Sequence, residues 1–332
     1  MKILVTGGAG FIGSNFLKYM INKYPNYKFV CLDILTYAGS YSNLLEIKDN
    51  QNFSFVKGDI TDKKLVDKLF KKEKFDIVIN FAAESHVDNS FNNPELFILT
   101  NVVGTQTLLE ASKKYKVKRF HQVSTDEVYG FLPTNDKSLK FTENNILKPT
   151  SPYSASKAAA DLIVESYYKS YKLPITISRC TNNFGPNQFP EKLIPCTINS
   201  IINNRFIPVH GDGSYIRDWI YVLDHCKGID KIIHEGKIGE IYNIGVNVEK
   251  TNMEIIEFIL NYFKAPKDLI KFVKDRPIND TRYSIDATKA KNELNWNSNS
   301  DFEQNLIETI EWYKKNQHWL KEMENKKEEI QV

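Results

Sequence analysis

Two short runs hold most of the residues able to do chemistry. Ser124-Thr125-Asp126-Glu127-Val128-Tyr129-Gly130 offers a hydroxyl and two adjacent carboxylates; Tyr153-Ser154-Ala155-Ser156-Lys157 offers a phenol and an ammonium four residues apart. Residues at that spacing share one face of a helix, so Tyr153 and Lys157 can point into one pocket. A phenol near a positive charge ionises more easily and suits removal of a proton from an alcohol as a hydride leaves its carbon. Two neighbouring carboxylates repel, so one keeps its proton and the pair supplies an acid and a base, as loss of water requires. Oxidation alone would not call for both sets. Taken singly, Tyr-x-x-x-Lys is a frequent accident of helices and Asp126-Glu127 would serve equally well at a helix N-terminus; the reading rests on their joint position.

The elements that must position these groups follow from hydrophobic rhythm. Short apolar runs at Ile3 to Thr6, Phe29 to Asp33, Phe53 to Lys57, Ile77 to Phe81, Phe120 to Ser124 and Ile175 to Arg179 read as strands. Amphipathic stretches at Gly13 to Tyr24, Leu65 to Lys72, Pro94 to Lys114 and Tyr153 to Tyr171 read as helices between them. This alternation predicts a parallel sheet covered on both faces, with Thr125, Asp126 and Glu127 emerging at its carboxyl edge, where open α/β sheets bind ligands. After about residue 185 a Pro/Asn/Gly-rich stretch leads into a helix near Ile194 to Asn203 and a smaller lobe, in which Ile220 to Glu235 is able to return to the first sheet. The expected division is 1–185 for the first unit, 186–320 mainly for the second, and 321–332 for a charged, solvated tail. The polar segment 131–150 reads as a loop or lid beside the site that orders on binding.

The first strand runs into Gly7-Gly8-Ala9-Gly10-Phe11-Ile12-Gly13 and then a helix. Gly8, Gly10 and Gly13 fit G-x-G-x-x-G, and Gly7, Gly10 and Gly13 fit the related G-x-x-G-x-x-G; either lets backbone N–H groups approach a pyrophosphate at a helix N-terminus. Asp33 closes the second strand, where a carboxylate holds the adenosine ribose and disfavours a 2′-phosphate, so NAD is the expected cofactor. Asp59 with Ile60, and Ala82 with Ala83, follow the next two strands on the path of a dinucleotide.

The 332 residues carry 44 basic and 41 acidic side chains, a net charge of +3, with 42% hydrophobic content. No basic stripe tracks a nucleic-acid backbone, so no nucleic-acid partner is expected. No run of about 18 apolar residues spans a membrane, and the apolar strand right after Met1 leaves no room for a signal peptide, which points to the cytoplasm. Cys31, Cys180, Cys196 and Cys226 lack metal-ligand spacing and are expected as reduced thiols, with no metal site.

Together the runs Val5 to Gly13, Ala82 to Asp88, Ser124 to Gly130, Tyr153 to Lys157, Glu191-Lys192-Leu193-Ile194-Pro195 and Arg217-Asp218-Trp219 resemble, across essentially the whole chain, the extended short-chain dehydrogenase/reductase superfamily. Within it the chain is similar to the nucleotide-diphosphate-glucose 4,6-dehydratases. The resemblance implies an α/β fold: a Rossmann-type doubly wound parallel sheet with a smaller C-terminal α/β substrate lobe. It implies that Tyr153 takes the C4 hydroxyl proton while NAD accepts the C4 hydride, and that Lys157 holds the ribose and lowers the phenol pKa. It further implies that Thr125 bonds near C4, Glu127 removes the C5 proton, Asp126 protonates the departing C6 hydroxyl, and the hydride returns at C6. Carried over to this chain, the cofactor site would comprise Gly7, Gly10, Phe11, Ile12, Gly13, Asp33, Thr36, Asp59, Ile60, Ala82, Ala83, Ser85, Thr100, Tyr153 and Lys157. The nucleotide-sugar substrate would meet His86, Thr125, Asn182, Glu191, Lys192, Leu193, His210, Arg217, Asn252, Arg276 and Asn279.

Three departures concern the nucleotide end. Pro208-Val209-His210-Gly211 stands where dTDP-glucose enzymes usually have a Tyr before the Gly, Ile278-Asn279-Asp280 stands where they have Gly-His-Asp, and Asn89 stands where they have Arg. These forms look more like UDP-glucose 4,6-dehydratases of the rhamnose pathway, so dTDP-glucose and UDP-glucose both stay open. An NAD-dependent sugar-nucleotide 4-epimerase or decarboxylase is the alternative enzyme, and a non-catalytic NAD-binding protein the alternative of another class. The two long helices resemble those of an intersubunit four-helix bundle, implying a homodimer.

Overall fold

The computed structural model describes residues 1–298 and 300–331. Its strands are β1 (Lys2–Thr6), β2 (Lys28–Asp33), β3 (Phe53–Lys57), β4 (Ile77–Asn80), β5 (Arg119–Thr125), β6 (Ile175–Cys180), β7 (Asn182–Phe184), β8 (Ile207–His210), β9 (Ile216–Tyr221), β10 (Ile241–Ile244), β11 (Glu249–Thr251) and β12 (Ile270–Val273). Its helices are α1 (Phe11–Lys23), α2 (Lys63–Glu73), α3 (Val87–Asn92), α4 (Pro94–Phe97), α5 (Thr105–Lys114), α6 (Pro152–Tyr171), α7 (Leu193–Ile202), α8 (Val222–Glu235), α9 (Asn252–Phe263), α10 (Thr288–Leu294), α11 (Phe302–Lys315) and α12 (Gln317–Gln331).

A seven-stranded sheet runs β10-β6-β5-β4-β1-β2-β3 with every pairing parallel. Chain order reverses between β1 and β4, which opens a crevice at their carboxyl ends. Side chains alternate across each strand, so the sheet builds two cores. Ile3, Val5, Phe29, Cys31, Ile77 and Ile79 face α1 and α8, whereas Leu4, Val30, Leu32, Val78, Phe120 and Ile177 face α2, α5 and α6. The sheet is thus the doubly wound arrangement expected, with β10 and α8 joining it from the later part of the chain. The smaller lobe carries the strand set β11-β9-β7 on a separate aromatic core of Phe184, Trp219, Tyr313 and Trp319, and the pair β12-β8, whose Ile207 and Val209 pack with Ile256 and Leu260 of α9.

Two segments depart from expectation. The helix expected over 94–114 is interrupted: a π-helical stretch, Ile98–Gly104, joins α4 to α5. Within it the Asn101 side chain is drawn out of the helix to bond Glu84 N at 2.8 Å, Glu84 O at 3.0 Å and Ser156 Oγ at 2.8 Å, and the widened turn carries Thr100 to the crevice. The segment 131–150 is tied down. Leu132 N donates to Arg282 O, Phe141 N to Ser284 O and Asp286 N to Phe141 O. The buried Arg282 guanidinium holds the Asp136 and Leu139 carbonyls at 3.0 and 3.1 Å while it pairs with Glu249 at 2.6 Å.

Helices α1 and α8 meet at a titratable contact. Asp230 accepts from Tyr19, Lys23 and Tyr24 at 2.9, 2.6 and 2.9 Å and faces His234 at 2.9 Å. Burial pushes the Asp230 carboxyl up, but its bonds from His234, Lys23, Tyr19 and Tyr24 prevail and hold it near 2. The same carboxylate raises the His234 imidazole. A raised basic group stabilises the fold fully below its unfolded pKa and loses that contribution as pH rises through the folded value. His234→Gln should therefore cost about 0.5–1 kcal/mol near pH 6 and progressively less above neutrality. Thermal midpoints of variant and parent across that range check it.

Candidate active site

The expected acid, base, phenol and ammonium come together at the carboxyl ends of β5 and β6. Thr125 is the last residue of β5 and lies opposite Cys180. Its hydroxyl accepts from Glu127 N at 3.3 Å and donates to Asp126 Oδ1 at 3.3 Å, capping a single 3-10 turn, Asp126–Tyr129, that carries both carboxylates. That turn is pinned from behind, because Tyr129 OH donates to Asn243 Oδ1 at 2.8 Å and accepts from Arg179 at 3.0 Å. Tyr153 and Lys157 enter from α6, whose start is fixed by a Ser151/Ser154 capping box with Pro152 in its first turn. All four groups face the same cleft.

Burial raises the Asp126 carboxyl well above the usual carboxylate range, and Glu127 and Asp218 push it further. Burial also raises Glu127, but Arg217, Lys192 and Arg276 oppose it. The two carboxylates are thereby set apart: Asp126 is held toward its protonated form, and Glu127 is the easier to ionise. One expectation is corrected here. Burial, Glu127, Cys180 and Asp126 hold the Tyr153 phenol well above its ordinary value, with the Thr125 hydroxyl pulling it down. The Lys157 ammonium, itself lowered by burial, donates to Val123 O at 2.7 Å. Two carboxylates and a dry pocket outweigh it.

The same cleft continues along the sheet edge past Gly7, Gly10, Phe11, Ile12, Gly13, Asp33, Thr36, Asp59, Ile60, Ala82, Ala83, Ser85 and Thr100. Gly7 sits at φ +68°, and a Cβ there would lie 2.5 Å from Ala82 N; at Gly13 it would lie 2.4 Å from Gly7 O. Helix α1 starts with no side-chain cap, so its first N–H groups face the groove. The buried Asp33 carboxylate accepts from Ala9 N at 2.9 Å and Leu35 N at 2.8 Å. A glycine cradle, a free helix N-terminus and a carboxylate at the next strand end fit a dinucleotide.

A second cleft meets the first at Glu127, Asn182, Glu191 and Lys192. It is lined by His86, Leu193, His210, Arg217, Asn252, Arg276 and Asn279 among others. Asn182 Oδ1, His210 Nδ1 and Trp219 Nε1 are buried without a hydrogen-bond partner among the described residues, which suits a polar ligand. The two arginines are held differently. Arg217 lies 4.5 Å over the Tyr283 ring and donates to Asn279 Oδ1 at 3.2 Å, whereas Arg276 grips both oxygens of Asp88 at 2.6 and 3.0 Å. A diphosphate at Arg276 would compete with that carboxylate.

Sequence reasoning overlooked Tyr37, whose hydroxyl donates to Glu191 Oε1 at 3.0 Å and accepts from Asn89 at 3.3 Å, joining the cofactor loop to the second cleft. An aromatic four residues after the ribose carboxylate was the available signal. Asp280 and Trp219, which also line the second cleft, sit in runs already quoted but were not singled out, and Tyr283 beside them carries no motif that marks it.

A family model described as GDP-mannose 4,6 dehydratase matches residues 4–309. A low-salt glycan biosynthesis protein of Haloferax volcanii is 50% identical over 313 residues, covering 94% of this chain and 98% of that protein. The crystal structure of dTDP-glucose 4,6-dehydratase from Bacillus anthracis in complex with NAD superposes with a TM-score of 0.90 at 48% identity, covering 97% and 99% of the two chains. That of dTDP-glucose 4,6-dehydratase from Streptomyces venezuelae with NAD and TYD bound gives 0.93 at 41% identity, covering 97% and 100%.

Proposed function

The chain belongs to the GDP-mannose 4,6-dehydratase family, and from that premise we propose that it is an NAD-dependent lyase removing water across C5 and C6 of dTDP-glucose to give the 4-keto-6-deoxy sugar nucleotide. The observation that carries this reading is the Asp126-Glu127 pair, the first buried and the second half-buried, on the same cleft as Tyr153 and Lys157. A 4-epimerase would leave both carboxylates without a task.

Bound NAD supplies the oxidant at C4 and the reductant at C6. The chain's own groups move the protons. Tyr153 Oη takes the C4 hydroxyl proton, with the Thr125 hydroxyl beside it. Lys157, fixed on Val123 O, orients the nicotinamide ribose. The resulting C4 ketone acidifies C5, and the Glu127 carboxylate takes the C5 proton. Asp126 delivers its proton to the C6 hydroxyl, which leaves as water, and once the hydride reaches C6 the protonated Glu127 returns a proton to C5. Arg217 and Lys192 hold the diphosphate and favour the ionised form of Glu127.

The substrates named for the two solved relatives support dTDP-glucose, although His210 and Asn279 keep UDP-glucose open. Incubation with each sugar nucleotide, followed by mass spectrometry, tests both points. Loss of one water from dTDP-glucose is expected; loss from UDP-glucose alone would reassign the nucleotide, and loss from neither would refute the reaction.

We further read the protein as a homodimer in the cytoplasm. Ile98 and Leu99 on the π-helical stretch and Leu162 on α6 are exposed apolar side chains, 53%, 45% and 57%, on the two helical segments that would meet a second copy. Light scattering should give twice the chain mass, and a monomer would contradict it. The four cysteines are free thiols, consistent with a reducing compartment, and among the described residues no helix is long and apolar enough to cross a membrane.

A further inference from the structure

The expected tail from residue 321 is not a solvated end as far as its side chains are described, through Lys326: Met323 is fully buried, and the face of α12 that starts at Trp319 packs on the cofactor groove. The groove wall beyond Asp33 is the loop 34–43, of which Ile34, Thr36, Ala38 and Gly39 line the cavity. From the inside this loop is held by the glycine turn, with Ser40 N at 3.0 Å and Asn43 Nδ2 at 2.8 Å from Ala9 O. From the outside it is held by α12. Trp319 Nε1 donates to Asn43 Oδ1 at 2.7 Å, Ser40 Oγ donates to Glu322 Oε1 at 2.9 Å, and Lys326 Nζ donates to Gly39 O. Positions 319, 322 and 326 share one helix face. On another side, Glu324 accepts from Asn199 on α7 at 2.7 Å and from Arg205 at 2.8 Å, anchoring α12 to the wall of the second cleft.

We propose that α12 latches the adenosine wall of the groove, with Glu322 and Lys326 as the positioning residues that keep loop 34–43 from swinging open to release the dinucleotide. The Lys326 charge also acts on Asp33, favouring its ionised form, so the latch supports the carboxylate that would hold the ribose. The inference rests on the NAD reading of the groove. It answers a need of that chemistry: the reaction is redox-neutral overall, and a cofactor that leaves between oxidation and reduction ends the turnover.

The test loads the full-length protein with NAD, chases with excess deuterium-labelled NAD, and follows the label in the protein-bound fraction by mass spectrometry. Glu322→Ala/Lys326→Ala should exchange at least about tenfold faster than the parent, because two charge-assisted hydrogen bonds are lost. Lys326→Arg retains a cationic donor and should stay within about twofold of the parent. A double variant that exchanges at the parent rate, or an Arg variant as fast as the double variant, overturns the latch. A parent that takes up no NAD would refute the cofactor reading itself; a parent that holds NAD beside an unchanged double variant refutes the latch alone.

Discussion

The Glu127→Gln variant is expected to lose about 10²- to 10⁴-fold in kcat, the usual worth of a positioned base, while still oxidising its substrate at C4. The amide keeps the shape of the side chain and its place beside Arg217 and Lys192 but cannot take the C5 proton. In deuterium oxide the parent should exchange C5 with solvent, whereas the variant should return a 4-keto sugar that keeps both its C5 hydrogen and its C6 oxygen. Stability should move the other way. Glu127 is raised by burial, so the folded state binds its proton more tightly than the unfolded chain and the native carboxylate destabilises the fold above the ordinary glutamate value. Gln does not titrate, so the variant's thermal midpoint should exceed the parent's by a margin that grows with pH until the folded-state value is passed. In the parent, kcat should rise with pH as Glu127 ionises and fall again as Asp126 loses the proton that burial and Glu127 make it keep. A variant that is slow, less stable and still exchanges C5 would remove Glu127 from the role of base.

Tyr153→Phe should be as severe, about 10²- to 10⁴-fold in kcat, and should stop the reaction one step earlier. No 4-keto sugar should form, and no C5 exchange should be seen even with Glu127 intact, because C5 is acidic only after C4 is oxidised. Substrate affinity should change little, since Tyr153 faces the first cleft and the residues read as gripping the nucleotide line the second. The Thr125→Val variant should show the same block in milder form. Burial and the two carboxylates hold the phenol high, and Thr125 is the group that opposes them, so its loss should move the rise of C4 oxidation to higher pH. C5 exchange in the Phe variant at the parent rate would show that another group takes the C4 proton.

The sheet was legible because period-2 apolar runs leave little choice of element, and β1 to β6 fall where those runs lie. The positions of Asp126 and Glu127 followed from Ser124 ending a buried strand. Charge balance was less legible. Whether Lys157 lowers the Tyr153 phenol depends on where its ammonium points, and only the fold shows one of its hydrogen bonds going to Val123 O. The break at Ile98–Gly104 escaped because it arises from Asn101 reaching Glu84 and Ser156, contacts across 17 and 55 residues. Segment 131–150 looked loose because its composition is polar, yet Arg282, more than 130 residues away, supplies the donors its carbonyls need. The charged tail misled in the same way: its Glu322 and Lys326 bond loop 34–43, and its Glu324 bonds α7.

The most direct measurement uses dTDP-glucose carrying deuterium at C4 and carbon-13 throughout the hexose, mixed in equal parts with unlabelled substrate, with the product read by mass spectrometry and NMR. Oxidation and reduction by one retained NAD around the Asp126, Glu127 and Tyr153 cluster predict that the deuterium reappears at C6 of the molecule that began with it. Product in which the label has been lost to solvent, has stayed at C4, or is spread over both sugars would contradict the account.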